Sequence, residues 1–296
     1  MRPAKPSTTS PTRKGIRRVG TVDLIAVSVV PLALATVHLQ PMEVKRSLVL
    51  AYMDPTVWTA FTSHFVHLDG VHLATNILTY AVIVTPLYLL CLVSGNRDRF
   101  WAVYLTVIFA FPFAISALNV ALARPRIGLG FSSLNMAFLG FLPIALVWYL
   151  GDQFDPRIDP RVAPGFFFLG TGLIAVLAVP DSVHGVVIAS SSAVAALLFF
   201  YRGEGWGDRS VVASIKRAAA RPGYFELAVV PIIVYVLVPF AAFPAEPIRN
   251  GSVLNLYAHQ LGFCLGFIVP YTTFRILDRP PTDAIPVRSW LGVGRE

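Results

Sequence analysis

Long apolar runs separated by short polar stretches dominate the chain, and the length of each run sets the element it predicts. A membrane-spanning helix needs roughly 20 apolar residues, with a range of about 17–25. Eight runs qualify, at about 23–40, 70–93, 100–121, 131–150, 165–181, 184–201, 224–244 and 253–275. The fifth and sixth are short and are parted by Pro180 and Asp181. As one helix, 165–201 would reach about 55 Å at 1.5 Å per residue, far beyond a bilayer, so a hairpin of two spans is predicted. Two stretches are neither span nor simple loop. Residues 41–66 are half apolar, with Trp58, Phe61 and Phe65, and are expected in the outer interface. Residues 208–221 set Val211, Val212, Ile215, Ala218 and Ala219 at helical spacing among four basic residues. A short helix on the inner membrane surface and a solvated basic loop both fit that pattern.

Composition narrows the class. Of the 296 residues 55% are hydrophobic and only 14% charged, with a mean hydropathy of +0.66. A soluble domain carries about 25% charged residues. Too few charges remain to cover a water-facing surface, and the hydrophobicity excludes intrinsic disorder. The fold class is therefore all-α, a polytopic bundle of about eight transmembrane helices in a lipid bilayer.

Charge orients it. With eight spans and the N-terminus inside, the inner segments hold 19 of the Lys and Arg residues and the outer segments 5, as the positive-inside rule requires. The net charge of +8 is thus accounted for without a nucleic-acid partner. The expected organisation is a basic cytoplasmic tail at 1–20, a membrane domain at 21–276 and a cytoplasmic C-terminal tail at 277–296, in the cell membrane. The first apolar run follows a long basic stretch without a clear small-residue cleavage site, so it reads as an anchor rather than a signal peptide. Cys91 and Cys264 both lie in apolar runs and imply no disulfide framework.

Polar groups inside spans are costly and mark functional sites by default. Three of the six histidines, His64, His67 and His72, fall within nine residues, and Asn76 follows one turn after His72 on the same helical face. The sequence from Gly128 to Ser133 opens the fourth span, and His259 sits near the start of the last, followed by Gly262 and Gly266. A metal site on the three clustered histidines is the first rival. Their spacing is not a usual ligand box, and apart from Asp23 and Asp69 at span edges no acid is expected where it could complete a ligand set, so metal ligation is not favoured. For His38, His64 and His184 an interface role or a helix–helix hydrogen bond is expected.

For Ser132 and His259 the argument is geometric. Three spans separate theirs, so the two helices run parallel and both groups lie at similar depth. A serine beside a histidine is the minimal nucleophile–base pair. The glycines before Ser132 let backbone approach a ligand closely, and His72 and Asn76 enter at the same end, where their donors and the Ser132 amide could stabilise an oxyanion. Gly262 and Gly266 form a small-xxx-small pair on the His259 face, and Ser132, Met136 and Gly140 share a face of the fourth helix, so these two faces are expected to meet.

This pattern resembles the rhomboid family of intramembrane serine proteases. Phe61-Thr62, His67 and the His72-Leu-Ala-Thr-Asn76 run resemble the family's second-helix motif. Gly130-Phe-Ser132-Ser133 resembles its Gly-x-Ser-Gly element, and Ala258-His259-Gln-Leu-Gly262, with Gly266, its last-helix motif. The likeness covers roughly 20–150 and 224–275. It implies cleavage of single-span membrane proteins without a cofactor, with Ser132 as nucleophile, His259 as base and no carboxylate. His72, Asn76 and the Ser132 amide would form the oxyanion hole, and the Ser63-His64 and His67 region would give water a path. Three features depart from the family. Ser133 replaces a glycine, Met136 stands where an aromatic residue is usual, and the hairpin at 165–201 is an insertion before the last two helices. The second reading is a rhomboid-like pseudoprotease that binds membrane helices without cutting, although Ser132 and His259 are both present. A transporter is third, since the chain shows neither an internal repeat nor paired broken helices.

Overall fold

The computed structural model describes residues 19–202, 213, 216, 219–220, 222–249 and 252–278. The amphipathic segment predicted over 208–221 lies almost wholly outside the described residues, as do both tails. The protein is an all-α polytopic helix bundle, and eight of its described helical segments are long and apolar enough to cross a membrane.

Helix α1 (Thr21–His38) leads into a short α2 (Met42–Ser47), a two-residue strand β1 (Leu50–Ala51), α3 (Val57–Thr62) and a 3-10 turn (Ser63–Phe65). Then follow α4 (Gly70–Val93), α5 (Arg97–Phe109), α6 (Phe111–Val120), the strand β2 (Ile127–Gly128) and α7 (Ser132–Gln153). A 3-10 turn at Pro160–Val162 precedes α8 (Ala163–Ala178), and α9 (Val183–Arg202) returns beside it. The chain closes with α10 (Tyr224–Ala242), the two-residue strands β3 (Ile248–Arg249) and β4 (Ser252–Val253), and α11 (Leu256–Leu277). The predicted hairpin is α8 and α9, turned through Asp181 at a φ of 57°. The third span differs from its prediction, because it is two helices with a break at Ala110. Pro112 causes the break, since it has no amide to donate and its ring clashes with the carbonyl four residues back.

Helix α7 is the core. Nearly every residue from Ser133 to Val147 is buried, which is the behaviour of a helix that is apolar all round. It packs in parallel against α4 and α11. The α11 contact is close because a Cβ added to Gly262 would fall on the carbonyl oxygen of Ser133, and one added to Gly266 on that of Ala137. Gly140 of α7 meets the Phe263 carbonyl in the same way. Backbones this near gain van der Waals contact that no larger residue would allow in lipid. At the opposite end of the bundle Asp23, which is 1% exposed, is held by Arg97 (2.5 and 3.1 Å) and the Tyr88 hydroxyl (2.5 Å). A buried carboxylate persists only when so paired, and this pairing joins α1 to α4 and α5. Arg99 ties α5 to the end of α11 through Asp278 at 2.5 Å, between the rings of Trp148 and Phe274.

Residues 41–66 form a cap over the end of the bundle where α4, α7 and α11 begin. The strand β1 pairs antiparallel with β2, setting Leu50 opposite Gly128 and Ala51 opposite Ile127. That pairing, absent from the sequence reading, clamps the cap to the loop leading into Ser132.

Candidate active site

The approach to α7 is built backbone first. Gly130 has a φ of 101°, a left-handed conformation that a side chain strains, and a Cβ there would stand 2.8 Å from the His72 ring. Its amide donates to the Ser63 carbonyl at 2.9 Å, and the next amide, of Phe131, donates to His67 Nε2 at 3.3 Å. His67 is wholly buried, packs edge-on against His72 with ring centroids 4.8 Å apart, and accepts the His38 Nδ1 hydrogen on its carbonyl at 2.9 Å. The loop is thereby fixed at two successive amides, and α7 begins on Ser132. As the first residues of a helix, Ser132 and Ser133 have amides with no intrahelical acceptor.

Ser132 Oγ lies 2.7 Å from His259 Nε2. The other ring nitrogen, Nδ1, is 2.8 Å from the Ala242 carbonyl. A carbonyl only accepts, so Nδ1 carries the hydrogen and Nε2 is the bare nitrogen that receives the serine proton. His259 is 3% exposed, and Phe243 meets its ring edge-on at 5.8 Å. Asn255 caps α11 by accepting from the Ala258 amide at 3.1 Å, which sets the register of His259 one turn later.

A cavity of about 340 Å³ opens beside this pair, with Ser132, His259 and His72 on its wall. Asn76, placed with His72 by helical spacing, does not line it. Its side-chain amide donates to the His72 carbonyl at 2.9 Å, and its carbonyl oxygen accepts from Asn135 at 3.3 Å. Asn135 also donates to the Asn76 backbone oxygen at 3.0 Å, fastening α4 to α7. Met136 is buried in the α7 core at 2% exposure.

Ser133 has its own histidine. Its hydroxyl lies 3.2 Å from His64 Nδ1, while His64 Nε2 sits 3.2 Å from the Pro112 carbonyl and 3.1 Å from Ser116 Oγ. The Pro112 carbonyl again fixes the hydrogen on Nε2, so Ser133 donates to Nδ1. Burial pushes His64 and His67 down to about 4, so both rings are neutral near pH 7. Of the three clustered histidines, His64 has both ring nitrogens in hydrogen bonds and His67 has Nε2 in one. Among the described residues no group of three His, Cys, Asp or Glu side chains is placed to hold a metal ion.

Sequence reasoning did not find Asn135, Asn119, Asn255 or the Ala242 carbonyl. Asn119 and Asn135 carried a usable signal, as amides inside apolar runs; a backbone carbonyl carries none. The chain matches no family model, no curated protein and no solved structure.

Proposed function

We propose that the protein is an intramembrane serine protease, with Ser132 as nucleophile and His259 as general base. The observation that carries this reading is the 2.7 Å contact from Ser132 Oγ to the bare Nε2 of His259, beside a cavity. In the reaction Nε2 takes the Ser132 proton as Oγ attacks a substrate carbonyl carbon, and the imidazolium then returns that proton to the leaving amine. No carboxylate assists. The Ala242 carbonyl, at the C-terminal end of α10 where the helix dipole is negative, stabilises the imidazolium in its place. The free amide at the start of α7 and the His72 side chain supply donors to the oxyanion. Asn76 supports this hole through His72 and Asn135 rather than from the cavity wall. Water then hydrolyses the acyl-enzyme.

The three rhomboid-like motifs lie at this one site, which supports reading the chain as rhomboid-like with α8 and α9 as its added hairpin. Substrates are then single-span membrane proteins, and both termini face the cytoplasm of the cell membrane. The test is cleavage of a panel of tagged single-span proteins in liposomes. Wild type should cut at least one, and Ser132→Ala and His259→Ala none. Cutting that persists in both variants refutes the dyad. Capture of those proteins without cutting by wild type would instead favour the pseudoprotease.

A further inference from the structure

We infer that the hairpin of α8 and α9 braces the dyad, with Tyr235 as the positioning residue through which α8 holds the Ala242 carbonyl on His259; what the dyad does rests on the protease reading above. Helix α10 supports itself poorly. It carries Pro231 and Pro239 inside its length, and neither has an amide for the carbonyl four residues back, that of Leu227 and that of Tyr235. Pro239 lies between Tyr235 and Ala242, so a small bend there would move the carbonyl that receives the His259 Nδ1 hydrogen. The outer part of α10 therefore takes its direction from what it packs on, which is mainly α4, α7 and α8.

Helix α8 grips α10 just before that bend. The Tyr235 hydroxyl donates to the Phe166 carbonyl at 2.9 Å, using the lone pair that the helix ladder leaves over. Gly170, one turn further along α8, makes the room, because a Cβ there would fall on the Tyr235 hydroxyl and stand 3.0 Å from the Phe263 ring of α11. Phe167, beside the accepting carbonyl, stacks on Phe263 and Phe267 of α11 with ring centroids 5.2 and 4.4 Å apart. One helix of the hairpin thus touches both helices that the bond from His259 to the Ala242 carbonyl joins. Ala242 follows Tyr235 by about two turns, so the tie lies close to the carbonyl it steadies. The competing account is packing only, in which the hairpin adds buried surface to the bundle and Tyr235 satisfies its hydroxyl on the nearest carbonyl, as a buried tyrosine must.

The tautomer of His259 and the reactivity of Ser132 separate these accounts, both read on the full-length protein in detergent micelles. The chain has six histidines, and with their ring nitrogens isotopically labelled the magnetic-resonance signals of His259 are those lost in His259→Gln. In wild type they should show the hydrogen on Nδ1. Tyr235→Phe keeps the ring and removes the hydroxyl. It should leave His259 a mixture of tautomers and slow fluorophosphonate labelling of Ser132 about tenfold, the scale of one hydrogen bond. Gly170→Ala drives the hydroxyl off its carbonyl and should act in the same direction. The double variant should be no worse than Gly170→Ala alone, since both changes break one contact. A lower melting temperature with the tautomer unchanged in Tyr235→Phe overturns the brace, whatever the labelling does, and leaves a packing role. Additive losses in the double variant overturn it as well, as does a wild-type His259 with its hydrogen on Nε2. Should Gly170→Ala fail to fold, Tyr235→Phe decides alone. An Nδ1 tautomer lost in Tyr235→Phe, with Ser132 never labelled in wild type, keeps the brace on His259 and removes the protease reading.

Discussion

The Ala242 carbonyl and the His259 ring are joined by a 2.8 Å hydrogen bond that crosses from the end of α10 to the start of α11. It fixes which nitrogen of His259 faces Ser132 without spending a buried carboxylate, whose desolvation in the membrane would be costly. It also makes the geometry of the pair depend on helix packing rather than on a third side chain.

The two members of the pair act as a unit under this account. Ser132→Ala and His259→Ala should each abolish cleavage in liposomes, and the double variant should be no worse than either. His72→Ala, by losing one oxyanion donor, should cost on the order of 10²–10³ in rate. Additive losses for Ser132 and His259 would show that they serve separate steps.

Gly266 is the sharpest test of the packing. It lies almost two turns beyond His259, and a Cβ there would fall on the Ala137 carbonyl of α7. Gly266→Leu should push α11 away, and a misplacement of about 1 Å can cost on the order of 10²-fold. The variant should stay in the membrane while its cleavage rate falls by about that factor, with Gly266→Ala between it and wild type. An unchanged rate in Gly266→Leu would mean that the dyad tolerates a wider helix separation.

Ser133 should behave unlike its neighbour. Its hydroxyl serves His64, so Ser133→Ala should remain active while leaving a buried acceptor unpaired, a loss of about 1–3 kcal/mol in stability. Thermal unfolding in detergent measures the loss, and a dead Ser133→Ala beside an active Ser132→Ala would reassign the nucleophile. The same histidine gives a pH dependence. With His64 held down to about 4 in the folded protein, against an ordinary 6.5, the unfolded chain binds the extra proton between those values. Stability from this site is complete above about pH 6.5 and is lost as pH falls towards 4. His64→Phe should lower the melting temperature at pH 7 yet reduce its further fall at pH 4.5.

The charge split predicts an orientation. In a Cys91→Ala, Cys264→Ala background, cysteines placed at Ile127 and at Asp98, both exposed, should react with an impermeant reagent from opposite sides of the membrane, Ile127 from outside. Reaction of both from one side contradicts the eight-span count.

The spans were legible because each is a predominantly apolar run of spanning length, and Pro180-Asp181 marked the hairpin turn unaided. The break at Ala110 was not, because the run continues through Pro112 with no polar residue to mark it. Ser132, His259 and His72 stood out for their polarity near apolar segments, and parity placed them at one depth. The Tyr52–Asn119–Asn255 cluster joins residues up to 203 apart in sequence, and no local spacing rule spans that distance. Asn76 shows the limit of periodicity, since sharing a face with His72 did not fix which partner its amide would choose.

The most direct measurement is covalent labelling of the purified protein with a fluorophosphonate, with the modified residue mapped by mass spectrometry. The account predicts an adduct on Ser132, lost in Ser132→Ala and reduced at least about 10²-fold in His259→Ala, with Ser133 unmodified. An unlabelled Ser132 in folded protein, or an adduct on Ser133 instead, contradicts it.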